Sequence, residues 1–286
     1  MAEYLPCPAC GGDRLYYTPH NDLKFCFHCG HTERNGQGKL PVRYYDIPAI
    51  RQIYTELAHW YHSCLDTPQL EYLTRRGVSE QEVKEYKIGY VPPYAHVLYQ
   101  SITAQEAGIA TAQYKPFLAE RIVFPYWVEG ICTDMRGRAV GDHSIRYLAC
   151  KGGGYYRGAD YPYNYCALSA DTVVITEGEL KCIAGNKVYP CGSLPGIMSM
   201  RPQLRQRTDQ TFVVCFDSQI QNTLQVHSAI HRLASMFINL KVATLPLKGK
   251  EKQDIDSFIL DYGKEAYQVV IDRALPYTTW KELIQI

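Results

Sequence analysis

From residue 171 onward, apolar runs of strand length alternate with helical stretches, and a carboxylate closes or follows each main run. "TVVITE" ends in Glu177, "QTFVVCFD" ends in Asp217, and "LKVATLPL" is followed by Asp254 and Asp256. "GELKCIAG", "MSMRPQLRQR", "QVHSAIHRLASMF" and "DIDSFILDYG" read as helices, and "KVYPCG" as a short strand. This alternation predicts βαβ units and a parallel sheet, in which ligands gather at the carboxyl ends of the strands. A carboxylate at the end of a buried strand is costly unless a metal ion, a cation or water meets it. One role for such acids is to cap the following helices, whose N-termini favour negative charge. Acids after three strands in turn favour a different role, an oxygen-ligand site for Mg2+ or Mn2+ that can hold a triphosphate. Glu177, Asp217 and Asp254 are the candidate ligands, with Asp256 as a further catalytic candidate.

At the N-terminus, Cys7, Cys10, Cys26 and Cys29 form C-x2-C-x15-C-x2-C, a spacing suited to zinc. Each pair makes a turn whose thiolates converge, and two such turns complete a tetrahedron around Zn2+. Four thiolates leave no open position, so this zinc is structural. "RLYYT" and "LKFCF" read as short strands, which together make a zinc ribbon. Disulfides or four unrelated core thiols are the alternatives. The opening "MAEYLPCPAC" has neither the basic nor the apolar region of a secretory signal, and no run of 18 apolar residues exists. A cytoplasmic protein with no membrane partner is expected, where thiols stay reduced. The other seven of the 11 cysteines stand mostly in apolar contexts such as "VVCFD" and are expected in the core.

Residues 32–46 read as a linker, and a helix is expected over 48–63. Asp66 or Thr67 should cap the next helix, with Pro68 in its first turn and Gly77 stopping it. Ser79 and Glu82 have capping-box spacing, and "KIGYV" reads as a strand. The net charge of +1 excludes a global polycation, so nucleic-acid binding requires a local patch. Arg121, Arg136, Arg138, Arg146, Lys151 and Arg157 are interleaved with Tyr126, Trp127, Tyr147, Tyr155 and Tyr156. Cations for phosphates and flat faces for bases suit a single-stranded track, although a solvated basic face has the same composition.

"YLTRRGVSEQEVKEYKIGYVP", "AGIA", "RIVFPYW", "MRGRAV" and "IRYLA" resemble, in order, motifs of the catalytic core of bacterial-type DNA primases. The strand-terminal Glu177-Gly178, Asp217 and the tail "LPLKGKEKQDIDSFI" resemble the TOPRIM domain of the same family. The resemblance implies a multi-domain α/β protein. Its parts would be a zinc ribbon (1–34), a linker and helix (35–64), a mixed α+β primase-type subdomain (65–168) and a TOPRIM-like parallel α/β domain (169–286). It also implies that Arg121, Arg138 and Arg146 line a groove for template or nucleotide; Lys151, Tyr147 and Lys181 are further binding candidates. Two departures stand out: Gln219 replaces the second aspartate of Asp-x-Asp, and Lys181 stands where many members have an aspartate.

The expected function is synthesis of short RNA primers on single-stranded DNA from nucleoside triphosphates, by metal-dependent nucleotidyl transfer during replication. The four-cysteine ribbon looks more like that of phage primase-helicases, so a phage, plasmid or mobile element is the expected source. About 30 residues follow Asp256, too few for a helicase, which would act in trans. The alternatives are a catalytically weakened nucleic-acid-binding accessory protein and a TOPRIM nuclease. A topoisomerase would need a separate tyrosine-bearing domain, and Walker-type ATP loops are absent.

Overall fold

The computed structural model describes residues 4–9, 11, 15–18, 23–26, 32–34, 46–94, 96–141, 145–150, 161–194, 209–217, 223–246 and 253–284. The chain divides into two compact units: Met1–Tyr44 with Gln219–Met236, and Tyr45–Ser218 with Phe237–Ile286.

In the first unit, β1 (Tyr4–Leu5), β2 (Leu15–Thr18), β3 (Leu23–Cys26) and β4 (Thr32–Arg34) form an antiparallel sheet in chain order. Leu5 pairs with Leu15, and Leu15 with Cys26. That register puts the turn after β1, which carries Cys7, at the same end of the sheet as Cys26. Gly11, at φ +69°, donates its N–H to the Cys7 carbonyl at 2.8 Å, closing this turn. Buried Cys7 packs on Leu15. Cys10 and Cys29 lie outside the described residues.

The second unit begins with α1 (Ile47–Ser63), whose first turn is capped by Asp46 accepting from the Ala49 N–H at 3.0 Å. Capping boxes open both α2 (Thr67–Arg75), through Asp66 and Gln69, and α3 (Glu80–Glu85), through Ser79 and Glu82. After β5 (Gly89–Val91) and α4 (Ile102–Glu106) come β6 (Arg121–Val128), β7 (Ile131–Ala139) and β8 (Tyr147–Ala149). These four strands form an antiparallel sheet in chain order. Ile50, Tyr54, Leu57 and Tyr61 of α1 recur at helical spacing and cover one face of it, against Val91, Val123 and Met135.

Next come β9 (Thr172–Thr176), α5 (Glu179–Gly185), β10 (Cys191–Ser193), β11 (Thr211–Phe216) and α6 (Thr223–Ala234), the last belonging to the first unit. They are followed by β12 (Leu240–Thr244), α7 (Ile255–Tyr262), α8 (Lys264–Asp272), β13 (Leu275–Pro276) and α9 (Tyr277–Leu283). The sheet order is β10-β9-β11-β12-β13. The first four strands are parallel, as the alternation predicts; β13 adds an antiparallel edge. The expected helix "MSMRPQLRQR" falls outside the described residues.

The two sheets share an apolar core. Ile122, Phe124 and Tyr126 of β6 join Leu73, Val83, Val174, Ile183 and Val213, while Val123 faces the α1 side. Burial on both faces explains why "RIVFPYW" lacks apolar–polar alternation. Cys132, Cys150, Cys182, Cys191 and Cys215 are buried as expected of small core residues. Cys64 is half-buried and Cys166 is exposed, against that expectation, because both sit at the surface ends of helical segments. Among the described residues no helix is long and apolar enough to cross a membrane.

Where β5 crosses α1 only glycine fits. A Cβ on Gly89 would stand 2.6 Å from the Tyr61 carbonyl carbon and 2.8 Å from the His62 nitrogen. Backbone cannot yield as a side-chain tip can, so Gly89→Ala is expected to destabilise the protein by about 2–3 kcal/mol. Urea denaturation measures this, and an unchanged midpoint would refute the close approach.

Candidate active site

The turn after β9 sets the first part of the site. Thr176 ends the strand, Glu177 is exposed, and Gly178 adopts φ +110°, a left-handed conformation that favours glycine. The Gly178 N–H donates to Ser193 Oγ at 2.7 Å, tying the turn to β10. Asp217 follows the last residue of β11, and Asp254 occupies the N-cap of α7. All three acids therefore lie beyond the carboxyl ends of parallel strands or at the helix start that follows. They line one cleft of about 220 Å³.

The opposite wall comes from the antiparallel sheet. Arg138 pairs across the ladder with Tyr147, and Arg136 lies two residues away on the same face. The Arg138 Nε donates to Tyr72 Oη at 2.6 Å and its Nη1 donates to Tyr147 Oη. Its guanidinium stands 4.9 Å from the Tyr147 ring centroid, so the cation is held in place. Burial pushes the Tyr147 phenol up to about 12, with Glu179 acting in the same direction. The phenol is thus a neutral hydrogen-bonding group at neutral pH. Arg76, Arg136, Arg138, Arg146 and Lys181 line the cleft beside Glu177, Glu179, Asp217 and Asp254, one cation more than carboxylates.

Not every candidate from the sequence reaches the cleft. Arg121 alternates to the other face of β6, packs on Gly137 and donates to the Arg146 carbonyl at 3.2 Å. It props the segment that carries Arg146, and burial lowers its pKa. Asp256 is buried and ion-paired with Arg76, off the cleft wall. Burial raises its carboxyl pKa, against the pull of Arg76. Tyr126, considered as a stacking face, is fully buried, and Trp127 is half-buried beneath the Lys87 ammonium at 5.0 Å. Lys151, Tyr155, Tyr156, Arg157 and Gln219 lie outside the described residues.

Other contacts were not foreseen. Lys181 donates to Asp217, forming an ion pair inside the cleft. Glu179 is fully buried; it accepts from Tyr126 Oη at 2.6 Å and lies 3.4 Å from Arg136. This joins α5 to the other sheet. Arg76 stands in the sequence within the primase-like stretch "YLTRRGV", with no role assigned to it there.

Among the described residues, no group of three or more His, Cys, Asp or Glu side chains stands close enough to hold one ion. Mg2+ commonly takes one or two carboxylates and completes its shell with water and phosphate, so hard oxygen donors sharing this cleft fit it.

No family model matches the chain. In solved structures the same architecture recurs. A DNA primase domain from Pseudomonas aeruginosa superposes with a TM-score of 0.64 at 18% identity, covering 81% of each chain. The zinc-binding and RNA polymerase domains of Aquifex aeolicus primase give 0.63 at 17% identity, covering 95% of this chain and 78% of that one. The fold is that of the bacterial primase catalytic core. Sequence relatives agree: the DNA primase of Enterococcus faecalis is 23% identical over 257 residues, 77% of this chain. That of Halalkalibacterium halodurans is 22% identical over 223 residues, 69% of this chain. The chain is thus similar in sequence to bacterial DNA primases, and spans 40% and 36% of the length of these two. Within this primase-type fold the cleft lies where the parallel sheet meets the basic face of the antiparallel one.

Proposed function

We propose that the protein synthesises short RNA primers on single-stranded DNA during replication, by divalent-metal-dependent nucleotidyl transfer. One observation carries the reading: Glu177, Asp217 and Asp254 share a cleft with Arg138, Arg146 and Tyr147, in a primase-type fold. Sequence similarity to DNA primases supports it, as does the same fold in a primase catalytic domain bound to single-stranded DNA (TM-score 0.63, 19% identity, 80% and 82% of the two chains).

In this reading, Glu177, Asp217 and Asp254 are the carboxylates available to Mg2+ or Mn2+, one or two to an ion with water and phosphate completing its shell, and Asp256 holds Arg76 at the cleft wall. The ion supplies charge neutralisation of the triphosphate. Arg138 and Arg146 bind phosphates of the nucleotide or template, with Arg138 oriented by Tyr72 and Tyr147 and Arg146 propped by Arg121. Arg136 is committed to Glu179 and sets the wall behind them. Lys151 extends the basic track. Cys7, Cys10, Cys26 and Cys29 bind a structural Zn2+ in a ribbon that scans the template. Carriage by a phage, plasmid or mobile element, action in the cytoplasm and a helicase supplied in trans belong to the same reading.

A second reading has an observation of its own: Lys181 on Asp217 weakens a metal site, which favours a binding protein without turnover. Primer synthesis separates the two. Purified protein, single-stranded templates and labelled nucleoside triphosphates with Mg2+ or Mn2+ are expected to give short RNA products. No product on any template, with single-strand binding intact, would establish the binding protein instead.

A further inference from the structure

Arg76 and Arg136 pair with Asp256 and Glu179, and Arg138 is held by tyrosines, but Lys181 faces a proposed metal ligand. It projects from the first turn of α5 onto Asp217; the two side chains are 15% and 1% exposed. Opposite charges this shielded from water attract far more strongly than surface pairs. An ion that takes Asp217 as a ligand must displace the ammonium or share the carboxylate with it. The surroundings do not help such an ion, because the wall already carries more cations than carboxylates. Glu179, the other acid near this turn, is turned away to Tyr126 and Arg136.

We propose that Lys181 is a resident cation of this cleft: its ammonium stands on Asp217 in place of one divalent ion. The cleft then takes a single divalent ion, from the Glu177 and Asp254 side, and Lys181 supplies a second positive charge to a bound triphosphate. Polymerase-type sites with two metal ions use both to clamp the reacting phosphate. Here one of the two positive charges is covalently part of the chain. The inference rests on the reading of the cleft as a metal-dependent nucleotidyl-transfer site.

The test is Mn2+ binding to the full chain without nucleotide, with free Mn2+ followed by electron paramagnetic resonance. Wild type is expected to bind one Mn2+ that Glu177→Gln removes. Lys181→Ala should tighten Mn2+ binding about tenfold, and Lys181→Asp should add a second ion that Asp217→Asn abolishes. Lys181→Arg, which keeps the charge, should retain the single ion. Thermal melts confirm that each variant is folded. Two cleft ions in the wild type would overturn the proposal whatever the variants do. So would unchanged Mn2+ binding in folded Lys181→Ala and Lys181→Asp, while leaving the proposed function intact. No Mn2+ binding that depends on Glu177 would overturn the proposed function and this proposal with it.

Discussion

Glu177→Gln is expected to lower primer synthesis by on the order of 10³-fold, about 4 kcal/mol of barrier, while single-stranded DNA binding is kept. Glu177 is exposed in the turn after β9. Its removal should therefore leave the melting temperature nearly unchanged. Glutamine keeps the volume and one oxygen but removes the charge proposed to hold a divalent ion against the surrounding arginines. Binding of DNA should improve slightly, because one anion leaves a cleft proposed to receive phosphates. Asp256→Asn provides the contrast. That carboxylate is buried on Arg76, so its loss should act first on stability and only indirectly on rate. Product formation, DNA affinity and melting temperature measured on both variants separate the roles. A loss under tenfold in Glu177→Gln would remove this residue from the metal site.

The strands of the parallel sheet were legible because buried strands are continuous apolar runs, and the strand-end acids interrupt them with charge. The cap at Ser79 was legible because a capping box joins residues three positions apart; Asp66 and Thr67 stood as equal candidates until the Asp66–Gln69 box decided between them. The C-terminal edge was not. Leu275–Pro276 is a two-residue strand, too short to show a period, and a glycine at φ +88°, Gly263, separates α7 from α8. The basic track illustrates a different loss. Composition collected Arg121, Arg136 and Arg138 together, yet the period of two sends Arg121 to the opposite face from the other two. Register could have shown this, had the pairing of β6 with β7 been known. The Lys181–Asp217 pair joins residues 36 positions apart, so only the parallel pairing of β9 with β11 brings them together.

Arg136→Met is expected to cost about 3 kcal/mol of stability, the largest such loss predicted for a residue on the cleft wall. Glu179 begins α5 and is fully buried, with Arg136 3.4 Å from Oε1 and Tyr126 donating to the same oxygen; Oε2 has no hydrogen-bond partner among the described residues. Burial acts to lower the Arg136 pKa, but Glu179, Tyr126 and Asp134 together raise it. Without Arg136 the carboxylate keeps only one neutral donor in a site that excludes water, and an uncompensated buried charge costs more than a lost contact. The Arg136 side chain is 20% exposed, which keeps the figure at the lower end of the range for buried pairs. The double variant Arg136→Met with Glu179→Gln removes both charges, and should recover much of the loss in urea denaturation with an unchanged slope. Because this contact joins α5 to β7, the single variant should also let the turn bearing Glu177 shift against Arg138. Primer synthesis should then fall further than the unfolded fraction accounts for, and the double variant should restore part of it. A cost below about 1 kcal/mol for the single variant, or no recovery in the double, would show that packing of Tyr126 and Leu180, rather than this charge pair, holds the two sheets in register.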